Sequence, residues 1–395
     1  MRLPAYERDP YRTMLEVTVL EVGGDDGRPW AVTDDTLLYP EGGGQPADRG
    51  RLGPAAVLDV VRERGRIVHR LDSPVGLGPA RLELDWGRRF DHMQQHTAQH
   101  LLTALALSRH GWRTTAFHLG ESASDIELDV AAIPDPDLVD LEEAANDVIR
   151  RSVTVSARHV DVAELASGGI RSRGLPAGLE GPLRVVEIEG LDRNTCGGTH
   201  VRSTAEIGAV ALLGTESLRG GTRLAFVAGD RVRRRLAAHE RRNHALRALL
   251  GAPDEELAEV VQLKLGQLKE VGRGTRQLLE ELADSAARRL AERDERPAAA
   301  HFDHRDLDFL QLLGRRLVAL EPTAVALLTA GVGPGGVFAV VAGPCSALFD
   351  LSTAGAEVAT LLDGRGGGAR PLYQGKAGRL DRREEALAAL AARLV

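Results

Sequence analysis

Two histidines with the spacing of a metal-binding pair lie in the segment HTAQH, at His96 and His100 of the 395-residue chain. On a helix, residues four apart share one face, with about 5–6 Å between their Cβ atoms. His92 lies on the same face one turn earlier, and about 12 Å would separate it from His100. One ion can therefore be shared by residues 92 and 96 or by residues 96 and 100, and the spacing leaves both pairs open.

A second group of metal-ligand side chains is the segment CGGTH, with Cys196 and His200. Gly197 and Gly198 between them allow a tight turn that approaches a ligand with its backbone. Each segment alone is better explained without a metal, as half-buried histidines or a buried cysteine. Together they offer one thiolate and three imidazoles, a set that suits zinc better than calcium or magnesium. The H-E-x-x-H pattern of zinc proteases is absent, because position 97 is Thr97.

A third segment, LLYPEGGGQP, contains Gly42, Gly43 and Gly44 immediately before Gln45. Successive glycine amides can form a concave site for an anion or a carbonyl oxygen. A plain hairpin turn is the alternative, although three adjacent glycines give more freedom than a hairpin needs. The residues themselves leave both interpretations open.

Short alternating segments predict the elements that position these residues. Residues 14–90 contain several of them, separated by Gly, Pro and Asp, which is typical of a small barrel or sandwich. The histidines lie in a predicted helix over 88–112, where Gly111 marks the end. The next block is predicted as α+β from a strand over 117–130, a helix over 135–152 that begins at Asp135 or Asp137, a glycine- and proline-rich loop over 167–182, and strands over 184–190 and 208–218.

The remainder of the chain is predicted to be helical at first and mixed afterwards. Helices extend from residue 231 to residue 295, with a kink or a hairpin at Gly272 and Gly274. Residues 301–395 follow with helices over 307–320 and 382–394 and strands over 324–331 and 336–343. The fold class is therefore α+β, with an N-terminal β-barrel (1–90), an α+β metal-binding domain (91–230), a helical connector (231–300) and a mixed α/β domain (301–395).

The composition is that of a globular protein, with 43% hydrophobic and 27% charged residues. No apolar run reaches the roughly 18 residues that a membrane span requires. The net charge of -7 excludes a global positive field for nucleic acid, so RNA binding would need local patches. The arginine-rich segment 231–247 is one candidate, and a solvated helix explains it equally well. With two cysteines, Cys196 and Cys345, we expect no disulfide scaffold, a buried Cys345 and a cytoplasmic location.

The segments YPEGGGQP, HTAQHLL and CGGTH, in this order and at these separations, resemble the editing domain of alanyl-tRNA synthetase. They look still more like the freestanding AlaX alanyl-tRNA editing proteins, over residues 1–230. The segment LLDGRGGGARPLYQGKA at 361–377 is similar to the glycine-rich part of the DHH-associated domain that ends alanyl-tRNA synthetases. The resemblance implies the long form of the family, in which an editing core, a helical connector and a C-terminal DHH-associated domain follow one another.

For the metal, the resemblance implies a zinc site that leaves out His92 and has four ligands, His96, His100, Cys196 and His200. It also implies that the CGGTH loop and the glycine segment 42–44 with Gln45 surround the aminoacylated 3′ end of a tRNA. Zinc in such a site can activate water or hold the amino group of the substrate. Four protein ligands leave no open position, which favours the second role.

The activity that the resemblance implies is hydrolysis of the ester bond of tRNA(Ala) mischarged with serine or glycine, in trans, for quality control of translation. Such an enzyme is needed because one methyl or hydroxyl group gives a synthetase pocket only about 1–3 kcal/mol of discrimination. No segment resembles the aminoacylating core of the synthetases, so we expect neither ATP use nor tRNA charging. The expected partners are the acceptor end of mischarged tRNA(Ala) and a second copy of the chain, held through the C-terminal region.

Further roles follow from the same resemblance. The amides of Gly197, Gly198 and Thr199 are candidates to stabilise an oxyanion, and the Thr199 hydroxyl to orient water. His118 in the segment FHLGE either lines the pocket or makes a structural hydrogen bond, and the sequence leaves both open. Family members usually carry a Thr in the setting S-T-I-D, where it helps recognise the serine hydroxyl, whereas ESASDIELD has Asp125 at that place. A carboxylate there can accept a hydrogen bond from a seryl hydroxyl or pair with the substrate ammonium group.

Three functions other than editing are alternatives for this sequence. A zinc-dependent RNA-binding protein without catalysis would unfold on metal removal but have no hydrolysis to lose. Another zinc hydrolase would act on peptides or small esters, and the missing H-E-x-x-H glutamate argues against it. A phosphoesterase is suggested by the C-terminal resemblance, but the Asp-His-His half that normally precedes that domain is not seen in the sequence.

Overall fold

The computed structural model describes residues 3–25, 27–161, 164, 169–171, 182–346 and 348–394. The chain divides into two compact units, Met1–Ala245 and Leu246–Val395. The glycine- and proline-rich loop predicted over 167–182 lies largely outside the described residues. None of the helices in the described ranges combines the length and apolar character that crossing a bilayer requires.

A closed six-stranded barrel follows the short helix α1 (Ala5–Arg8), as the alternation predicted. In the first half of β1 every second residue is buried, namely Leu15, Val17 and Val19, while the residues between them are exposed, as expected for a strand with one face on a core. The barrel order is β1-β2-β5-β4-β3-β6. The strands are β1 (Met14–Asp25), β2 (Arg28–Thr33), β3 (Gly50–Leu52), β4 (Ala55–Glu63), β5 (Arg66–Leu71) and β6 (Gly78–Leu84).

The histidine helix, α2, extends from Trp86 to His110 and confirms the predicted helix over 88–112. Its first turn is capped by the Asp85 side chain, which accepts a hydrogen bond from the backbone N–H of Arg88 at 3.1 Å. Gly111 ends the helix with a φ of 74°. Each residue from His92 to Ala106 is buried, so α2 is enclosed on all sides instead of lying on a surface.

A buried ion pair joins α2 to the barrel region. Arg89 and Asp48 are both fully buried, and Arg89 Nε donates to Asp48 Oδ2 at 2.9 Å. The other two guanidinium nitrogens of Arg89 donate to the carbonyl oxygens of Pro10 and Leu37, each at 2.7 Å. Since every donor group of this arginine has an acceptor, the cost of burying the charge is offset and the register of α2 against the barrel is set.

The strand predicted over 117–130 is wrong as a single element, because the chain turns back within it. β7 (Thr114–Leu119) and β8 (Ser124–Leu128) are antiparallel neighbours that pair His118 with Asp125. A Cβ at Gly120 would lie 2.4 Å from the carbonyl oxygen of Ala123, so the tight turn requires glycine there. These strands belong to a sheet of order β12-β13-β8-β7, and a second sheet has the order β11-β10-β9.

The other elements of the first unit include helix α3, which begins at Asp135 as predicted and ends at Arg150. The strands predicted over 184–190 and 208–218 are β10 and β12, whereas β9, β11 and β13 were not predicted. Their bounds are β9 (Val155–Val160), β10 (Leu183–Ile188), β11 (Asp192–Thr195), β12 (Val210–Leu218) and β13 (Gly221–Ala228).

Two long helices follow, α4 (Asp230–Leu250) and α5 (Leu257–Ala291). The hairpin that was one alternative at Gly272 and Gly274 is wrong, because α5 continues through both; a kink within the continuous helix stays a prediction. Each glycine costs a helix only about 1 kcal/mol, and the C-terminal end of α5 is anchored by residues such as Ala287 and Leu290 in a buried cluster. The helical stretch is broken at Gly251 instead, where φ is 67°.

The second unit ends in a five-stranded mixed sheet of order β14-β15-β16-β18-β17, with β14 and β15 parallel. Helix α6 (Leu307–Leu320) has the predicted bounds. Cys345 is exposed, so its predicted burial is wrong. The remaining elements are β14 (Ala298–Phe302), β15 (Val325–Ala330), β16 (Gly336–Ala342), α7 (Leu351–Leu361), β17 (Arg365–Gly367), β18 (Leu372–Ala377) and α8 (Arg383–Ala391).

Candidate metal centre

Four potential metal ligands from two distant segments meet in the first unit. His96 and His100 come from α2, and Cys196 and His200 from the loop that follows β11. One ligand atom from each side chain lies within 4.8 Å of the other three. The Cys196 Sγ is 3.4 Å from His96 Nε2 and 3.3 Å from His200 Nε2. In the described part of the chain, His92 does not belong to this group.

Two of the imidazoles are oriented through their second ring nitrogen. His96 Nδ1 is 2.8 Å from Oε1 of Gln45, and since that amide oxygen can only accept, the hydrogen is on Nδ1. His200 Nδ1 is 3.1 Å from the Thr97 hydroxyl, which also accepts the backbone N–H of Val201 at 3.2 Å. Partners of this kind fix the ring and leave Nε2 free for a metal. Thr97, at the position where zinc proteases have glutamate, therefore supports a ligand.

The third imidazole faces a carboxylate. His100 Nδ1 lies 3.4 Å from Asp192 Oδ2, and the other oxygen of Asp192 accepts from Arg171 Nε at 2.7 Å. Burial lowers the pKa of His100, but Asp192 and the nearby Cys196 outweigh it and raise that pKa to about 9. A metal at the centre would therefore displace a proton from this ring.

The electrostatics of the cluster favour a thiolate. Burial opposes ionisation of Cys196, yet the adjacent His96 and His200 rings outweigh it and hold the pKa of the thiol well below its usual 9.0. Burial lowers the pKa of His200 to about 3, so this imidazole is neutral and its Nε2 lone pair is available. A thiolate and neutral imidazoles are the forms that bind metals.

The CGGTH loop is held against the histidine helix by side chains from elsewhere. Arg184 Nη1 donates to the carbonyl oxygens of Cys196 and Gly198, at 2.9 and 2.7 Å. A Cβ on Gly198 would lie 2.2 Å from His96 Cε1, so this position requires glycine because of the close approach of the ring. Gly197 has open space around it and is exposed.

Two of the three amides considered for an oxyanion already have acceptors. Gly198 N–H donates to the Cys196 Sγ at 3.4 Å, and Thr199 N–H donates to Gln45 Oε1 at 3.0 Å. The Thr199 hydroxyl is buried and accepts from Gln45 Nε2 at 2.8 Å. Within the described residues the Gly197 amide has no acceptor, so it is the amide of the three that is free to donate.

The glycine segment forms a two-residue hairpin turn. Gly42 and Gln45 exchange backbone hydrogen bonds at 3.2 and 3.0 Å, while Gly43 and Gly44 have φ of 56° and 82°, the type I′ pattern. A Cβ on Gly44 would lie 2.6 Å from the Phe117 ring, which in turn lies 5.7 Å from the His96 ring between centroids. The turn is thereby attached to the metal centre. In the described part of the chain, the Gly43 and Gly44 amides have no acceptor.

His118 and Asp125 are directly opposite each other but do not join the cluster. Their side chains approach to 3.1 Å, and Arg223 Nε lies 3.5 Å from Asp125. Successive residues of a strand face opposite sides, and Phe117 faces His96. His118 and Asp125 therefore lie on the other, exposed face of the sheet.

The sequence did not point to Thr97, Asp192 or Arg184 as parts of the site. Asp192 and Arg184 lie in the two strands just before the cysteine, and no spacing pattern distinguishes them. Thr97 lies inside HTAQH itself. Its position between His96 and His100 was the one feature of the sequence that could have indicated its place in the site.

Comparison with known proteins finds a family that matches the segment containing Cys196 and His200. The family described as "Threonyl and Alanyl tRNA synthetase second additional domain" matches residues 183–224, which include Cys196 and His200. An alanine–tRNA ligase of Methanopyrus kandleri is 30% identical over 390 residues, which cover 94% of this chain and 42% of the ligase.

Two relatives match almost the whole chain. Alanyl-tRNA editing protein Aarsd1-A of Xenopus laevis is 37% identical over 357 residues, covering 89% of this chain and 85% of the relative. Alanyl-tRNA editing protein Aarsd1 of Mus musculus is 36% identical over 366 residues, with 91% and 87% covered. An alignment of this extent spans the segments of all four candidate ligands and most of the second unit, and the chain belongs to the family of alanyl-tRNA editing proteins.

Proposed function

We propose that the protein hydrolyses the ester bond of tRNA(Ala) that carries serine or glycine, acting in trans on the charged tRNA. The observation that carries this proposal is the group of His96, His100, Cys196 and His200 within 4.8 Å, in a chain whose relatives are named alanyl-tRNA editing proteins. The cytoplasm, where translation takes place, is the expected location.

Zinc is the proposed metal, because the donor set fits it. In a tetrahedral site with Zn–N of about 2.0–2.1 Å and Zn–S of about 2.3 Å, sulfur and nitrogen ligands are about 3.6 Å apart. The distances from Cys196 Sγ to His96 Nε2 and His200 Nε2 are 3.4 and 3.3 Å. Bound zinc would supply a Lewis acid that attracts the amino group or the carbonyl oxygen of the substrate.

The residues around the metal centre would orient the ester and its attacking water. The free Gly197 amide is the proposed donor to the developing oxyanion, because the amides of Gly198 and Thr199 have other acceptors. The Thr199 hydroxyl accepts from Gln45, so its own hydrogen is available to hold water. The free amides of Gly43 and Gly44, on the turn attached to the centre, are proposed to contact the 3′ end.

Selectivity for the amino acid on the tRNA is proposed to depend on contacts other than those of His118 and Asp125. His118 and Asp125 would act on the substrate only if the tRNA reached around the edge of β7, since their face is opposite to that of Phe117. The C-terminal sheet is proposed to be of the DHH-associated type, and a homodimer through this region remains an expectation.

The test is deacylation of purified Ser-, Gly- and Ala-charged tRNA(Ala) together with metal analysis. We expect wild type to release serine or glycine and to contain one bound zinc ion. His96→Ala and Cys196→Ser should lose the zinc ion, and their rate of deacylation should fall by at least about 100-fold. Cys345→Ser and His304→Gln, at exposed positions of the second unit, are matched controls that should behave as wild type. Equal inertness toward all three tRNAs would refute the proposal, and hydrolysis that survives the loss of zinc would refute the role of the metal.

A further inference from the structure

A cavity of about 400 Å³ lies beside the first two turns of α2. Arg88 and His92 line it from the helix, Pro46 from the segment after the glycine turn, and Leu119 from the end of β7. All of these residues belong to the first unit. None of them is a ligand of the candidate metal centre.

The cavity adjoins the metal centre through three connections. His92 precedes His96 by one helical turn, about 6 Å along the axis. Pro46 directly follows Gln45, whose side chain holds the His96 ring. Leu119 lies two residues after Phe117, which packs against the same ring. The cavity therefore begins about one helical turn from the metal centre, a distance that a ligand longer than one amino acid can span.

His92 is a buried polar side chain without a partner. It is 5% exposed, and its Nδ1 is buried with no hydrogen bond; within the described residues the ring makes none at all. Burial and the nearby Arg88 lower the pKa of His92 to about 4, so the ring is neutral at neutral pH and offers one N–H. Buried polar groups nearly always have partners. Nδ1 is closed to solvent, so Nε2, which also has no partner among the described residues, is the nitrogen that can donate to a ligand in the cavity.

Two arginines supply positive charge that the protein itself does not neutralise fully. Arg88 Nε donates to the carbonyl oxygen of Ala47 at 3.0 Å, and in the described part of the chain its terminal nitrogens have no acceptor. Burial and the adjacent Arg49 lower the pKa of Arg88, as expected for a cation next to another cation. Arg234, on α4, is 60% exposed at the mouth of the cavity, where it is paired with Asp230 at 3.1 Å and lies 3.7 Å from Asp91, which it shares with Arg231.

The lining of the cavity keeps a positive balance, with three arginines, at positions 88, 231 and 234, against two carboxylates, Asp91 and Glu121. Asp91 is paired with Arg231, whose Nη2 and Nε lie 2.6 and 2.9 Å from its oxygens. Glu121 is exposed at the rim and has no ion pair with a described residue. The cavity also lies at the N-terminal end of a 25-residue helix, where the helix dipole favours anions.

We propose that this cavity binds the phosphate group on the 5′ side of the terminal nucleotide of the aminoacylated strand. The inference rests on the proposed function: with the ester at the metal centre, one ribose separates the reacting bond from that phosphate. Arg88 donates to the phosphate oxygens through its terminal nitrogens, and the neutral His92 ring donates its N–H. A phosphate fits these donors, because guanidinium groups bind phosphate oxygens in pairs.

The test uses two minimal esters that differ by one phosphate, seryl-adenosine and the seryl ester of 5′-AMP. We expect wild type to hydrolyse the phosphate-bearing ester with a kcat/KM about tenfold higher, the value of one charge-assisted hydrogen bond. In Arg88→Gln this ratio should fall toward one, and in Arg88→Lys it should keep an intermediate value. A wild-type ratio near one, or an unaltered ratio in Arg88→Gln, would overturn the proposal.

The control is Arg109→Gln, at the opposite end of α2, where Arg109 pairs with Asp140. It should retain the wild-type ratio, and circular dichroism should show the same helix content in every variant. Calorimetric binding of 5′-AMP and of adenosine, with inorganic phosphate as competitor, tests the cavity without any hydrolysis. If Ser-, Gly- and Ala-charged tRNA(Ala) are all left intact but wild type binds 5′-AMP more tightly than adenosine in an Arg88-dependent way, the proposed function fails and the phosphate site stands; equal binding of the two would refute the site.

Discussion

Gln45 connects two features that the sequence suggested separately. Its side-chain oxygen accepts from His96 Nδ1 and from the Thr199 amide, while its nitrogen donates to the Thr199 hydroxyl. One amide therefore aligns a metal ligand and the CGGTH loop, and it also ends the glycine turn. The sequence predicted Gln45 as a substrate-binding residue, and its buried position indicates that it acts through its neighbours.

The four ligands could be named from the sequence because their spacing and the family pattern are distinctive. Their supporting residues could not, since Thr97 and Asp192 are of common types and are selected by three-dimensional proximity alone. Spacing alone left His92 and His100 as alternatives, the family pattern left His92 out, and the fold shows the reason. Both histidines are buried on one helix face, and only the position of the second segment decides which of them meets Cys196.

His69, in the barrel, predicts a specific pH dependence of stability. The ring is fully buried, with Nε2 2.9 Å from the Thr36 hydroxyl and Nδ1 3.3 Å from the Ala31 carbonyl oxygen. Burial lowers its pKa from 6.5 to about 4. Because the unfolded chain takes up a proton more readily, the stability that this group provides is present above pH 6.5 and is lost as the pH falls toward 4. Between pH 7 and pH 5 the loss is about 2 kcal/mol.

Urea denaturation at the two pH values measures this contribution. His69→Gln should be less stable than wild type at pH 7 but should lose about 2 kcal/mol less between pH 7 and pH 5. His304→Gln, at an exposed position, should keep the wild-type pH dependence. If wild type and His69→Gln lose equal free energy, the ring is not neutral in the folded protein.

At the scale of elements, long periodic segments were predicted well and turns were not. Helices α2 and α6 agree with the sequence because their apolar positions repeat over many turns. The segment 117–130 was interpreted as one strand because its alternation continues on both sides of the Gly120 turn. The hairpin predicted as one alternative at Gly272 and Gly274 does not form, because two glycines are a small cost in a helix of 35 residues.

The CGGTH loop offers a matched pair of substitutions. A methyl group at Gly198 would lie 2.2 Å from His96 Cε1 and 2.8 Å from Gln45 Oε1, whereas a methyl group at Gly197 meets nothing within 4 Å. Gly198→Ala should therefore displace the His96 ring and weaken metal binding by about 10–100-fold. Gly197→Ala should bind metal as wild type does.

Zinc affinity measured by competition with a chromogenic chelator distinguishes the two variants. Thermal unfolding should follow the same order, with Gly198→Ala the less stable. Equal zinc affinity in both variants would mean that the loop moves away from α2 without consequence, which contradicts the close approach of the Gly198 backbone to His96.

At the scale of the whole molecule, the candidate metal centre joins segments of the first unit that are far apart in the chain. Cys196 and His96 are 100 positions apart in the chain, and β10, β11 and α2 meet around them. Removal of the metal with a chelator should therefore raise hydrogen exchange in α2 and β10–β11. At a metal concentration 100-fold above its Kd, the lost stabilisation is about 3 kcal/mol.

Exchange measured by mass spectrometry has an internal control in the second unit. Helix α6 lies outside the unit that holds the cluster, and its exchange should be unaffected by the chelator. Faster exchange throughout the chain would show that the units unfold together. No effect on α2 would show that the cluster contributes nothing to the fold.

The separation along the chain of the two candidate ligand segments, HTAQH and CGGTH, has a consequence for biosynthesis. The ribosome releases the histidine helix long before the cysteine loop, since 100 positions lie between His96 and Cys196. At about 5–20 residues per second, the histidines wait roughly 5–20 s for their sulfur partner. During that interval the nascent chain carries only the two imidazoles of the site. The first unit can complete its folding only after the CGGTH loop has emerged.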